Sequence, residues 1–164
     1  MTNEAAKTLA EFLVPQLQQE SATTRKVLAA VPAANYDYKP SEKCMSGLAL
    51  ATHIAAAEVF FLKGVLEGEF KWEQPDLKTP ADVVAFYDEK VPALLTRAAA
   101  LSGEALAKKI KFAVWEEPAV TYLGLSLKHG IHHRGQLSAY LRPMGGKVPS
   151  IYGPSADEGV GAGA

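Results

Sequence analysis

Apolar positions recur at spacings of three and four through most of this chain. Leu9, Phe12, Leu13, Leu17, Thr24, Val27, Leu28 and Val31 keep that rhythm between about residues 4 and 31, which predicts an amphipathic helix burying them. Pro15 falls inside it and is expected to kink it or loosen one turn. Pro32 and Pro40 then mark a loop. Ser46 is a candidate N-cap for a second helix to about residue 67, closed by Gly68, with Ile54, Phe61, Leu62 and Val65 as core positions. The run "TPAD" announces a third: Thr79 caps, Pro80 takes the first turn, and Asp82 meets the electropositive end. It reaches about Leu101, with Pro92 as a second internal irregularity. Residues 104–117 read as a helical turn followed by a short extended piece. Pro118 opens a fourth long helix to about residue 142, ended by Pro143 and Gly145-Gly146.

Four long amphipathic helices, no internal repeat and no useful period-two run predict an all-α four-helix bundle. The tail "KVPSIYGPSADEG" is aperiodic but rich in turn residues, so an ordered strap over the body is expected, with "GVGAGA" (159–164) frayed.

A chain of 164 residues is expected to form one domain. Its formal charge of −1 offers no basic surplus for nucleic acid or an anionic membrane. Cys44 is the single cysteine, so no internal disulfide can form, which fits a reducing compartment. The N-terminus carries acids and lacks the long apolar core of a secretory signal, and the apolar runs are interrupted before the length of a membrane span. A cytoplasmic protein is the expectation.

Against this ordinary background the histidines stand out. All four lie in two short segments: His53 in "ATHIAAAE", and His129, His132 and His133 in "KHGIHHRGQ". Residues four apart on a helix are rotated by about 40° and displaced by about 6 Å, so His129 and His133 project side by side and can chelate one small ion. No Glu follows His129, so the metalloprotease pattern is absent. His53 shares its helix face with Ala49, Ala56 and Ala57, small neighbours that leave room for a ring and an ion. Separately, His53 reads as a hydrogen-bonded interior residue and the pair as a solvated one; their concentration in two segments sets a shared metal level with those readings.

The segment "HHRGQLSAYLRPMGGKVPSIYGPSADE" (132–158) resembles the C-terminal signature of the DinB family, the damage-inducible DinB/YfiT-like four-helix bundles. "LALATHIAAAE" (48–58) resembles the family's helix-two histidine segment, and "VPAANYDYKPSEKCMSGLALATHI" its approach. The resemblance implies one DinB-like domain over residues 1–158 with an up-down-down-up helix order. It implies a divalent metal, zinc or nickel, on His53, His129 and His133, with His132 outside the ligand set. It also implies thiol S-transferase-like or hydrolase-like chemistry, with a thiol or water activated at an open metal position on behalf of a small-molecule substrate. Family members often form homodimers. Many relatives carry a tryptophan where this chain has Met45, which bears on the pocket wall. The alternative is a stress-linked metal-binding or interaction protein without turnover, since no general base is evident beside the histidines.

Other residues bear on the same site. Gln136 and Tyr140 lie one and two turns beyond the histidine pair, within reach of a substrate, although Tyr140 also reads as core with its hydroxyl at the edge. Arg134 is rotated about 100° from His133, which favours pairing an acid or holding the strap over binding a substrate anion. Glu58 is off the ligand face and reads as a solvated or supporting carboxylate. Cys44 reads as a small buried apolar residue rather than a reactive thiol. Tyr38, Trp72 and Trp115 are expected to cover the bundle ends.

Overall fold

The computed structural model describes residues 1–159. Its elements in chain order are α1 (Asn3–Ala29), α2 (Gly47–Glu67), α3 (Pro80–Ala99), the short α4 (Gly103–Ala107), strands β1 (Lys109–Phe112) and β2 (Trp115–Pro118), and α5 (Ala119–Leu141). The four long helices pack as a bundle around Leu17, Leu28, Leu50, Ile54, Leu62, Val83, Leu123 and Leu137. Each such side chain removed from water contributes about 1.5–3 kcal/mol before its ordering cost.

The caps are built as the side chains dictate. Ser46 Oγ accepts from Ala49 N at 3.2 Å. Thr79 and Asp82 form a reciprocal capping box, with Thr79 N donating to Asp82 Oδ2 at 2.9 Å. Asp82 is correspondingly held below the usual carboxylate range, chiefly by its bond with Thr79. Gly68 closes α2 at φ 77°, a left-handed conformation in which a Cβ would be strained.

Contacts fix how the helices run. Lys7 Nζ donates to Ala99 O at 3.2 Å and Arg25 pairs with Asp88, so α1 and α3 run in opposite senses. Leu13 lies near Gly124, and Arg134 donates to Glu20 O at 3.1 Å, so α1 and α5 run in the same sense. Gly47 adjoins Met144 and His53 faces His129, setting α2 against α5. The connection from α2 to α3 therefore returns along the flank of α2. Phe70 starts it by lying flat on Gly64, where a Cβ would sit 2.1 Å from the ring.

Several expectations are corrected. Phe12 is 66% exposed, because the inner stripe of α1 runs through Ala6, Ala10, Leu13 and Leu17, and Phe12 is turned about 100° from Leu13. The extended piece is an antiparallel hairpin, Lys109 opposite Pro118 and Phe112 opposite Trp115, turned at Ala113 with φ 53°. Helix α2 is long and apolar enough by composition to cross a membrane, contrary to the reading of interrupted runs, but most of that stretch is buried inside the bundle.

After α5 the chain forms a strap. Asp157 Oδ2 accepts from Arg142 Nε and from Val148 N, both at 2.9 Å, and Glu158 accepts from Ser150 N at 2.6 Å. Tyr152 Oη donates to Glu20 Oε2 on α1 at 2.8 Å. Of the tail expected to fray, only Gly159 belongs to the described residues; 160–164 lie outside them.

Candidate metal centre

The antiparallel contact of α2 with α5 brings His53 opposite the pair His129 and His133. One ring nitrogen from each lies within 4.8 Å of the others. His53 Nε2 and His129 Nε2 are 3.2 Å apart. The ring centroids are separated by 4.4 Å (His129 to His133), 4.7 Å (His53 to His133) and 5.0 Å (His53 to His129). All three are half-buried, while His132 is exposed.

This environment favours neutral rings at His53 and His129. Burial pushes the pKa of His129 down to about 4, assisted by the neighbouring histidines, and burial first and His133 second push His53 down as well. A neutral imidazole offers a lone pair, the form a metal ion needs. Two facing Nε2 atoms cannot both present lone pairs at 3.2 Å without repulsion, and a cation between such atoms removes it. His133 Nδ1 lies 3.0 Å from Gln136 Oε1, which can only accept, so Nδ1 carries the proton and Nε2 is left free. Ser126 Oγ, one turn before His129, is buried without a hydrogen-bond partner among the described residues. The donor set therefore fits a divalent metal.

The stripe Ser126, His129, His133, Gln136, Tyr140 on α5 follows a three-four spacing, which carries the polar chain beyond the histidines. Gln136 Nε2 donates to Tyr140 Oη at 3.3 Å. The Tyr140 hydroxyl in turn meets Cys44, and the thiol is pulled down first by Ser41, 3.3 Å away, and then by Tyr140. Cys44 is thus half-exposed and hydrogen-bonded, not a buried apolar residue. Replacing Gln136 by Leu should free the His133 ring to choose its tautomer and weaken zinc binding about 10–100-fold, whereas Gln136→Glu keeps the acceptor. Competition against a chromophoric chelator measures this; a Leu variant binding like the parent protein would remove Gln136 from the site.

The aromatic residues are placed otherwise than expected. Trp72, on the returning α2–α3 connection, lies 6.0 Å from the His53 ring and 5.5 Å from Phe60, so it walls the histidines rather than a bundle end. Tyr38 packs edge-on against Tyr140 at 6.0 Å. Phe61 closes the inner side, 5.6 Å from His129. Met45 is exposed.

Arg134 and Glu58 belong to a different cluster. Arg134 is 1% exposed and turned away from the histidines; it ion-pairs Glu20, donates to Thr24 Oγ1 at 3.4 Å and contacts the hydroxyl of Tyr152. Glu58 is buried, not solvated, and accepts a hydrogen bond from Tyr87 Oη at 2.6 Å. Burial pushes its pKa up to about 7, although Tyr87 and Arg134 pull the other way. The folded protein holds this proton where the unfolded chain, near 4.5, has lost it. Stability from this group is therefore full below pH 4.5, declines as pH rises, and stays lower above about 7, by roughly 3 kcal/mol. His53 and His129 act in the opposite direction, losing stability as pH falls below 6.5. Glu58→Gln should therefore raise stability at pH 8 and expose a steeper loss on acidification. Urea melts of the metal-free protein at several pH values test this; a variant whose melts parallel those of the parent would refute it.

The sequence profile of the DinB family matches residues 1–160. The chain belongs to the DinB family. Among its relatives is the uncharacterized protein YjoA of Bacillus subtilis (strain 168), 33% identical over 129 residues, covering 74% of this chain and 82% of YjoA. The crystal structure of that DinB-like protein superposes with a TM-score of 0.72 at 26% identity, covering 87% of this chain and 99% of the other. A DinB-like protein from Bacillus cereus ATCC 10987 shares the fold, with a TM-score of 0.75 at 21% identity over 87% and 97% of the two chains. The helical DinB fold and a three-histidine group compatible with a metal site are thus established together.

Proposed function

We propose that this chain is a metal-dependent enzyme of the DinB type, transferase-like or hydrolase-like, with His53, His129 and His133 holding zinc or nickel. The convergence of three imidazole nitrogens within 4.8 Å carries the reading. A divalent metal held by three neutral nitrogens keeps its full charge and supplies a Lewis-acid position at which a thiol or water is activated. The chain's own residues do the rest. Gln136 orients His133, Phe61 and Trp72 limit water on two sides, and Tyr140 presents a hydroxyl at the far end of the stripe.

Thiol activation is favoured over water activation, because the histidine group includes no carboxylate and the nearest buried acid on α2, Glu58, is engaged by Tyr87. A low-molecular-weight thiol and a small electrophile are the substrate classes this supports, in a cytoplasmic setting. Imidazole ligands suit both metals, so the donor set does not choose between them.

The test begins with metal content by mass spectrometry on protein purified without a histidine tag, beside the His129→Ala/His133→Ala protein. About one ion per chain, lost in the double variant, is the expected result. A screen of thiols against electrophiles follows. A metal-dependent rate abolished by His133→Ala supports the enzyme; bound metal with no rate above background leaves a non-catalytic metal-binding role in stress as the reading. No metal in either protein, and none taken up, refutes both.

A further inference from the structure

A second concave site lies on the other flank of α2. It is a groove of about 650 Å³ between α2, α3 and the returning connection, within the size range of small-molecule sites. Its floor is apolar and partly aromatic, formed by Ala56, Phe60, Phe86 and Leu94. Its rim carries four cations, Lys63, Lys71, Lys90 and Arg97, against two acids, Glu73 and Glu89. Lys63 pairs with Glu73 at 3.0 Å, Lys71 with Glu69 at 2.6 Å and Lys90 with Glu89 at 2.7 Å. Among the described residues no carboxylate pairs with Arg97.

The groove is graded along its length. Helices α2 and α3 run in the same sense here, so Ala56 and Phe86 sit at one end and Lys63 and Arg97 at the other. Eleven residues of α3 separate Phe86 from Arg97, about 16 Å of helix. The apolar end lies one helical turn from His53, beside Trp72, which touches both His53 and Phe60. An apolar trough ending at one uncompensated guanidinium suits a monoanion with an apolar body. A dianion would need a second free cation, and a cation or a neutral polar ligand would leave Arg97 unused.

We propose that this groove binds a small amphipathic monocarboxylate, its carboxylate on Arg97 and its apolar body along Phe60 and Phe86. The proposal concerns binding and stands apart from the metal reading. The Trp115→Phe protein leaves Trp72 as the only fluorophore of its kind, placed to report occupancy. Titration with phenylbutyrate should quench or shift its emission saturably. Phenylbutanol, of the same shape without the charge, should bind at least about tenfold more weakly, and Arg97→Gln should weaken phenylbutyrate by a similar factor. Arg97 is exposed, so that variant should retain its helical circular dichroism. Carboxylate binding should persist in the His53→Ala/His129→Ala/His133→Ala protein, which separates this site from the metal centre. Absence of saturable binding, equal affinity for the alcohol, or an Arg97→Gln protein that binds unchanged would each overturn the proposal.

Discussion

Replacing His53 with alanine should lower the affinity of this protein for zinc by roughly a hundred- to a thousandfold. Structural zinc sites with four protein ligands are worth about 10–16 kcal/mol at neutral pH, so one ligand carries roughly 3–4 kcal/mol of that total. His53 is the only ligand candidate on α2, and its loss leaves the His129–His133 chelate on α5 alone. The stability readout should separate two effects. In the parent protein, zinc at a hundredfold excess over its dissociation constant should stabilise the fold by about 2.7 kcal/mol, by tying α2 to α5. In His53→Ala that increment should vanish, and the metal-free variant should fall below the metal-free parent only by the lost packing of the half-buried His53 ring on Trp72 and its contact with His129 Nε2. His132→Ala, on the exposed side of α5, is the matched control and should bind like the parent. Calorimetric zinc titration with thermal melts checks the set. A His53→Ala protein with undiminished affinity would mean that the ion, if bound, sits elsewhere.

Much of this site was legible because its signals are local. A four-residue spacing on α5 places His129 and His133 together whatever surrounds them, and "SGLALATH" and "TPAD" carry their caps in the chain itself. The opposition of His53 to the pair is a tertiary fact: the concentration of all four histidines in two segments and the small neighbours of His53 suggest it, and the resemblance to the DinB family assigns the three as ligands. What escaped the reading depends on contacts between distant segments. The spacing puts Glu58 off the histidine face, but nothing near it in the chain announces that Tyr87 and Arg134 meet it in the interior. Trp72 sits in a polar loop and gives no sign that the loop doubles back over His53. The hairpin hid because its strands are four residues long and its turn uses Ala113 in a left-handed conformation, where glycine or asparagine would have marked it. Phe12 fits the apolar rhythm of α1, yet the buried face runs through Ala6, Ala10 and Leu13 and leaves it outside, because alanines carry no apolar signal strong enough to place the stripe.

The largest stability effect is expected at Arg134. Arg134→Ala should destabilise the protein by about 3–5 kcal/mol, the range for removing one partner of a buried ion pair. The guanidinium is the only cation in a cluster that joins α1 through Glu20 and Thr24, the strap through Tyr152, and the interior acid Glu58 by its field. Its removal leaves Glu20 and Glu58 with no positive neighbour, and leaves the Tyr152 ring, 5.2 Å from the guanidinium carbon, without its cation. Arg134→Met, which keeps most of the volume, separates packing from charge: it should recover part of the loss, with the remainder assignable to the acids. Adding Glu58→Gln to Arg134→Met should recover more, because a neutral amide no longer needs the cation and can still accept from Tyr87. The strap gives an independent readout, since without the Arg134 contact Tyr152 retains only Glu20, and cleavage between residues 147 and 158 by a protease should accelerate. The same experiment bears on the metal centre. Arg134 follows His133 in the chain and grips α1 and the strap from the side of α5 away from the histidines, so it fixes the rotation that aims His133 at His53. Arg134→Met should therefore weaken zinc binding while the three histidines remain in place. A variant that lost stability but bound zinc like the parent would confine the cluster to holding the strap.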